Sequence, residues 1–207
     1  MSTAVHTALS MTRATTQRDT PSAILDAAER FVQQRGFNAF SYADVATELG
    51  VTKASLHYHF ASKAELGEAL IARYAQRFSA VLAGIDASDE PASAKLDAYV
   101  AVYADVLQGQ RMCLCGMLAA EYQTLPQRMQ ETVLRFFDEN ERWLVHVLES
   151  GRREGSLAFD QPVSDVARQI VSALEGAMLV ARPFGDVKRF ETAASGLLKS
   201  LAGVAPA

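Results

Sequence analysis

The chain has 207 residues, of which 49% are hydrophobic and 21% are charged, a balance typical of a globular protein with a sizeable core and not of a disordered or fibrous chain. Its net charge of −4 excludes a protein that is basic over its whole surface and coats nucleic acid, but it allows a local basic face. No apolar run reaches the roughly 18 residues that span a bilayer, and the N-terminal residues lack the apolar core of a signal peptide. Only two cysteines are present, too few for a disulfide framework. We therefore expect a cytoplasmic protein with no membrane partner.

Helices are predicted along almost the whole chain, because alanine and leucine are frequent and apolar residues recur at spacings of three and four. In the N-terminal third each predicted helix opens on a capping residue. Ser62 and Glu65 have the spacing of a capping box. The predicted helices there run from Thr20 to Gly36, from Ser41 to Gly50, from Thr52 to Phe60 and from Lys63 to about Ala87.

Five further helices are predicted in the rest of the chain, separated by proline and glycine breaks. They run from Pro91 to about Gln108, from Met112 to about Thr124, from Pro126 to Gly151 or Gly155, from Ser164 to about Arg182 and from Val187 to Leu201. The sequence thus predicts an all-α fold of about nine helices. We divide it into a flexible arm (1–19), a helix-turn-helix domain (20–63) and a C-terminal helical domain (64–207).

The second and third helices are joined by a tight glycine turn, which indicates a helix-turn-helix. Leu56 and Phe60 are spaced by four and can anchor the third helix inward. Its remaining surface offers donors for phosphates and base edges, from Thr52, Lys53, Ser55, His57, Tyr58 and His59. Residues 1–63 carry a net charge of +1 and the remainder −5, so an anionic partner would dock at the N-terminal third. A helix-turn-helix that served only as a structural corner of the fold would explain the glycine turn. It would not explain the row of polar side chains on the third helix, which we call its polar front.

The stretch from Ile24 to Leu70, ILDAAERFVQQRGF … SYADVATELGVTKASLHYHFASKAEL, resembles the DNA-binding domain of the TetR/AcrR family of transcriptional repressors. The resemblance implies an all-helical homodimer. Helices one to three would bind a double-stranded DNA operator. A divergent C-terminal domain would bind a small-molecule effector and dimerise.

The resemblance also implies individual DNA contacts. Thr52 and Lys53 match phosphate and base contacts, and Ser55 matches a small-residue position. His57 occupies the place of a phosphate-binding tyrosine, with Tyr58 one position later. Lys63 matches a phosphate-binding lysine where the helix dipole assists. Further contacts are expected from His59 on the same surface, from Ser41 and Tyr42 at the start of helix two, and from Arg13 and Arg18 in a minor groove. Tyr42 packing at a helix start and a solvated arm remain the alternatives.

Metal binding is not expected. His57 and His59 are two residues apart and so point about 200° apart on a helix. The Cys-X-Cys pair has no further ligand nearby in the sequence, and we expect no cofactor.

A second candidate site lies at Cys113, between Arg111 and Tyr122. Exposed backbone N–H groups at a helix start, together with Arg111, would lower the pKa of the Cys113 thiol, whereas apolar packing would raise that of Cys115. The segment also resembles a short stretch in a subgroup of the family that senses electrophiles or oxidants through a cysteine after helix five. Inert packing is the alternative, because free cysteines are commonly buried.

The other alternative is a non-covalent pocket in the C-terminal domain. Its candidate walls are aromatic or polarisable, and at helical spacing they could equally be plain core: Tyr99, Tyr103, Met117, Tyr122, Phe136, Phe137, Trp143 and Met178. Asn140 and Glu175 lie within apolar stripes, and a buried polar group needs a partner. That partner could be a ligand, water or another side chain.

The last two helices are expected to form the dimer interface, since the helix from Ser164 is apolar on more than one side. Small residues would permit close approach, namely Gly176, Ala177, Ala193, Ala194 and Gly196; a central helix of a monomer is the alternative. The resulting expectation is a repressor released from a palindromic operator by an inducer or by thiol modification. A helical enzyme is disfavoured, because the only conceivable acid–base couple, Glu175 with His146, has nothing to bring it together.

Overall fold

The structure is a computed structural model that describes residues 20–202; the predicted arm, with Arg13 and Arg18, lies outside the described residues. Within that range the chain forms nine α-helices and two short 3-10 turns, and the all-α prediction is confirmed. The helices are α1 (Thr20–Arg35), α2 (Tyr42–Leu49), α3 (Lys53–His59), α4 (Lys63–Asp86), α5 (Ala92–Gln108), α6 (Leu114–Ala120), α7 (Gln127–Glu154), α8 (Val163–Ala181) and α9 (Val187–Leu201).

The helix ends of the N-terminal part follow from local sequence signals. Ser41 and Asp44 form a reciprocal capping box at the start of α2, and Ser62 accepts a hydrogen bond from the backbone N–H of Glu65 at the start of α4. Gly50 closes α2 at φ 66°, a left-handed conformation that glycine adopts at little cost. The turn to α3 can therefore be as short as predicted.

The sixth helix is shorter than predicted. Cys113 has a non-helical conformation and acts as the N-cap, so α6 begins at Leu114. After Ala120 the chain turns at Glu121 and continues as a 3-10 turn over Tyr122–Thr124. The difference matters because it places Cys113 at one end of α6 and Glu121 at the other.

The helix-turn-helix has its own aromatic core, in which Phe31, Phe37 and Phe40 pack together and to which the buried Leu56 of α3 also belongs. Helix α4 leaves this domain and packs on α7, while α8 packs on α7 and α9. No helix in residues 20–202 is both long enough and apolar enough to cross a membrane. Helices α4 and α6 thus connect the helix-turn-helix with the C-terminal helices, since both of them pack on α1 and on α7.

Candidate functional site

The polar front of helix α3 faces solvent, and the opposite side of the helix packs into the protein. Leu56 is 0% exposed, whereas Lys53, His57 and Tyr58 are exposed and Ser55 and His59 are half-buried. Tyr58 is 86% exposed, and its ring contacts that of His59 edge-on. Thr52 is the N-cap and accepts the N–H of Ser55 at 3.2 Å. A helix buried on one side and polar on the other can enter a DNA groove.

Tyr42 is a correction to the expected set of DNA contacts. Its side chain is buried, and its hydroxyl donates to the carbonyl of Phe60 at 2.8 Å. Burial raises the pKa of Tyr42 to about 12. Its ring also supports the imidazole of His57, with centroids 4.7 Å apart. Tyr42 therefore packs at the helix start, the alternative left open by the sequence, and holds α3 against α2.

Ser41 and Lys63 lie at the edges of the polar front. Ser41 is exposed, and its hydroxyl donates to Asp44 Oδ2 at 2.7 Å. The Lys63 ammonium donates to the carbonyl of Phe40 at 2.5 Å and lies over the rings of Phe37 and Phe40. Burial lowers the pKa of Lys63. In the free protein this lysine faces the α1–α2 connection, with further N–H groups left for other acceptors.

The centre of the C-terminal domain is an aromatic cluster, defined here as Tyr74, Phe78, Tyr99, Tyr103, Phe136, Phe137 and Trp143. Two members, Tyr74 and Phe78 of α4, were not among the predicted pocket residues. Their spacing of four on the buried face of the helix was the signal that could have identified them. Within the cluster, the Tyr99 and Tyr103 hydroxyls are 3.0 Å apart. Tyr99 also donates to Asn140 Oδ1 at 3.1 Å.

The partner of buried Asn140 is therefore a protein side chain. Its amide nitrogen also donates to the carbonyl of Phe136 at 2.8 Å. Asn140 and Trp143 line an open groove of about 420 Å³ between α4 and α7. Trp143 Nε1 is shielded from solvent and has no hydrogen-bond partner among residues 20–202. Trp143 thus lines the groove, while its N–H donor behind the groove surface is left unused by this part of the chain.

The environment of Cys113 contradicts the expected reactive thiol. The residue is 2% exposed; burial and the charge of Glu175 raise the pKa of its thiol well above the usual value. Its sulfur accepts hydrogen bonds from Gly116 N at 3.5 Å and from the Tyr74 hydroxyl at 3.8 Å. Arg111, expected to stabilise the thiolate, instead donates to Gln33 Oε1 at 3.3 Å. For Cys115, burial raises the pKa, in the direction predicted.

Glu175 of α8 is the most unusual group in this domain. Burial raises the pKa of its carboxyl from 4.5 to about 7, against the opposing effect of a hydrogen bond with Cys113. Its Oε1 is shielded from solvent and unpartnered within the described residues. The carboxylate lies so close to Gly116 of α6 that a Cβ there would overlap it. A larger residue at position 116 would therefore push the Glu175 carboxylate out of this place.

The remaining predicted pocket residues do not all gather at one place. Met178 is fully buried and Phe137 is half-buried at the cluster. Met117 accepts a hydrogen bond through its sulfur from Arg182 at 3.4 Å, and Tyr122 lies half-buried in the 3-10 turn after α6. Across the nine helices and their connections, residues 20–202, no group of three or more His, Cys, Asp or Glu could hold a metal ion.

Helix α6 and its flanks form what we call the clasp, which holds the end of α1 and the α1–α2 turn. The Met112 N–H donates to the carbonyl of Gln33 at 3.1 Å. At the other end, Glu121 Oε2 accepts the backbone N–H groups of Phe37 at 2.6 Å and Asn38 at 3.2 Å. Asn38 also donates to Thr124 at 2.7 Å. The segment of α6 is therefore hydrogen-bonded to the helix-turn-helix domain on both sides of the helix.

The outer face of α8 and α9 is apolar and exposed in a single chain. Leu179 and Val180 of α8 and Phe184 of the 3-10 turn that follows it are each about 60% exposed. Beside Val180, small residues of both helices line a shallow depression of about 590 Å³. Of the residues expected to allow close approach, Gly176 and Gly196 face open space, whereas Ala194 is buried within the chain. An exposed apolar patch of this kind marks an interaction surface.

Known proteins are similar to both parts of the chain. Residues 24–70 match the sequence model described as "Bacterial regulatory proteins, tetR family". Residues 92–197 match "Tetracyclin repressor-like, C-terminal domain". The HTH-type transcriptional regulator TtgR of Pseudomonas putida is 41% identical over 54 residues, which are 26% of each chain. The match thus spans about a quarter of the length of this curated relative.

Two solved structures are similar over nearly their whole length. A TetR-family transcriptional regulator from Agrobacterium tumefaciens is 30% identical, with a TM-score of 0.85 over 88% of this chain and 97% of its own. A TetR transcriptional regulator from Legionella pneumophila is 34% identical, with a TM-score of 0.78 over the same shares. The similarity therefore includes the C-terminal domain as well as the helix-turn-helix.

Proposed function

The chain belongs to the TetR family of DNA-binding transcriptional regulators, and from that premise we propose that it is a repressor released from a palindromic operator by a small-molecule effector. We assign DNA binding to residues 20–63 and effector binding and dimerisation to the domain that begins at residue 64. The observation that carries the proposal is the polar front of α3, which is solvent-exposed while Leu56 anchors the helix behind it.

The front of α3 has the chemistry of a recognition helix. We propose that Lys53 and Thr52 bind phosphate or base edges at its N-terminal end, where the family has such contacts. Tyr58 is exposed and lies beside His59, and we propose that Tyr58, His59 and the exposed His57, whose ring is supported by Tyr42, contribute contacts to DNA. Ser41, Ser55 and Lys63 are proposed as additional contacts at the edges of this surface.

We propose that two chains dimerise through the outer face of α8 and α9. Exposed Leu179, Val180 and Phe184 would lose their contact with water there, which is favourable at about 25 cal/mol per Å². A two-fold dimer presents two copies of α3 to half-sites roughly 34–36 Å apart on DNA. The two-fold symmetry of the dimer would require a palindromic operator.

We propose that the effector acts in the aromatic cluster and that the clasp transmits its effect. One end of α6 touches Glu175 through Gly116, and the other end holds Phe37 and Asn38 through Glu121. An effector that displaced α6 would shift the helix-turn-helix and change the separation of the two α3 helices. Coupling free energies of this kind are typically about 1–3 kcal/mol. The buried, protonated Cys113 thiol supports a non-covalent effector over thiol modification.

The test is selection of bound duplexes from a randomised DNA pool, followed by anisotropy titration with the best sequence. We expect two inverted half-sites, and Tyr58→Ala should weaken this binding without unfolding the chain, because the side chain is exposed. Val81→Ala, at an exposed position of α4 outside the helix-turn-helix, serves as the matched control. Failure to enrich any sequence, or enrichment of one half-site alone, would contradict the proposal.

A further inference from the structure

Glu175 is a half-buried acid with no basic partner among residues 20–202. The ion pairs within 4.0 Å in that range involve other carboxylates, namely those of Asp26, Glu29, Glu48, Glu68, Glu141, Asp165 and Asp186. Its Oε1 is shielded and unpartnered there. A buried carboxylate normally requires a cation or several hydrogen bonds, whereas the donor beside this one is the thiol of Cys113.

The groups close to Glu175 include tyrosine hydroxyls and cysteine thiols. Its charge acts on the hydroxyls of Tyr74, Tyr99 and Tyr103 and on both cysteine thiols. Aromatic faces attract cations through the ring quadrupole, most strongly when the site is desolvated. An acid set among tyrosines therefore favours a positively charged ligand and disfavours an anion.

Contacts through Cys113 and Tyr74 link this acid with the wall of the open groove between α4 and α7. Cys113 hydrogen-bonds to Glu175 and accepts the Tyr74 hydroxyl at 3.8 Å, and the Tyr74 ring contacts that of Phe136 in the groove wall. A polar seam in the same cluster runs from Asn140 in the groove wall to the Tyr99 hydroxyl and on to that of Tyr103, through contacts of 3.1 and 3.0 Å. Trp143 lines the same groove, stacks on Tyr99 and has the unused Nε1 donor. The groove volume of about 420 Å³ suits a small organic molecule.

We propose that the effector is a small organic amine that binds in its protonated form, with its ammonium group on Glu175 and its apolar body among the rings of the aromatic cluster. This inference rests on the proposed function, which places the effector in the C-terminal domain. The ammonium supplies the N–H donors that Glu175 Oε1 lacks. Its arrival beside Gly116 displaces the N-terminal end of α6 and thereby acts on the clasp.

Trp143 provides the assay, because it is the single tryptophan of the chain and stacks on Tyr99 at 5.3 Å. The full chain is titrated with hexylamine, cyclohexylamine and 2-phenylethylamine while Trp143 fluorescence is recorded. Each amine is paired with the alcohol and the carboxylate of matching shape. We expect saturable fluorescence changes for at least one amine and none for its alcohol or carboxylate.

Glu175→Gln should weaken binding of that amine about tenfold or more, because a hydrogen bond to a charged group is lost. Glu149→Gln, which removes an exposed carboxylate of α7, should leave the affinity unchanged. Equal binding of amine and alcohol, an unaffected Glu175→Gln variant, or no response to any amine at millimolar concentration would each overturn the proposal.

Operator binding measured on the same samples separates this proposal from the proposed function. If the chain binds its operator and no amine changes Trp143 fluorescence, the cationic effector is wrong and the repressor function stands. If an amine binds but no operator is found, the proposed repressor function fails while the amine site stands.

Discussion

Replacing Glu175 by glutamine should stabilise the free protein at alkaline pH and not at acid pH. Burial raises the pKa of the carboxyl from 4.5 to about 7, so the folded chain holds a proton between these values that the unfolded chain has released. The free energy of unfolding therefore falls as the pH rises through this interval and stays low above pH 7. Glutamine keeps a similar shape without ionising.

The size of the effect follows from the pKa change. At about 1.4 kcal/mol for a tenfold change in proton affinity, the shift from 4.5 to about 7 corresponds to about 3 kcal/mol. This is an upper value, because the amide nitrogen of glutamine needs an acceptor in the same place. Glu175→Gln should thus exceed the wild type by up to about 3 kcal/mol at pH 8 and match it near pH 4.

Urea denaturation at pH 4, 6 and 8 measures the difference, at one fixed protein concentration because oligomerisation shifts apparent stability. Glu149→Gln is the control, since it removes an exposed carboxylate of α7. A constant difference between Glu175→Gln and wild type across the three pH values would refute the reasoning. It would mean that Glu175 ionises as readily in the folded as in the unfolded chain.

Four further outcomes are expected from particular side chains. Val180→Arg should give a monomer in light scattering, because a charge replaces an exposed apolar contact on α8. Lys53→Ala should reduce the salt dependence of operator binding by about one counterion, as the loss of a phosphate contact does. Glu121→Gln should speed amide hydrogen exchange of Phe37 and Asn38, whose N–H groups lose a charged acceptor. Iodoacetamide followed by mass spectrometry should find Cys113 unmodified in the native protein, because the thiol is buried and protonated.

Each of these outcomes has a control and a contrary result. Val81→Arg, at another exposed valine, should leave the oligomeric state unchanged. If the Val180→Arg variant is still a dimer, the dimer interface lies elsewhere on the protein. If the salt dependence of operator binding is unchanged in Lys53→Ala, Lys53 does not contact a DNA phosphate. Unchanged exchange would show that Glu121 does not hold the turn. Rapid alkylation of native Cys113 with loss of operator binding would restore thiol modification as the release mechanism.

Local sequence signals determined the helices of this protein. Capping residues, such as Ser41 and Ser62, and the glycine at position 50 each act within a few residues of themselves, so their effects can be predicted without the fold. The same holds for the front and back of α3, because a spacing of four puts Leu56 and Phe60 on one side. The resemblance to a known family needed nothing more than this stretch of sequence.

Tertiary structure alone decided the chemistry of the C-terminal domain. The pKa of Cys113 depends on Glu175, which belongs to α8, two helices further along the chain than α6. Arg111 was expected to assist the thiol, but it donates to Gln33 of α1 instead. The ionisation of a side chain depends on its burial and on carboxylates that are distant in the sequence. The spacing of apolar residues along a helix predicts neither of them. For the same reason Glu121 gave no sign of holding the α1–α2 turn until the fold brought the two together.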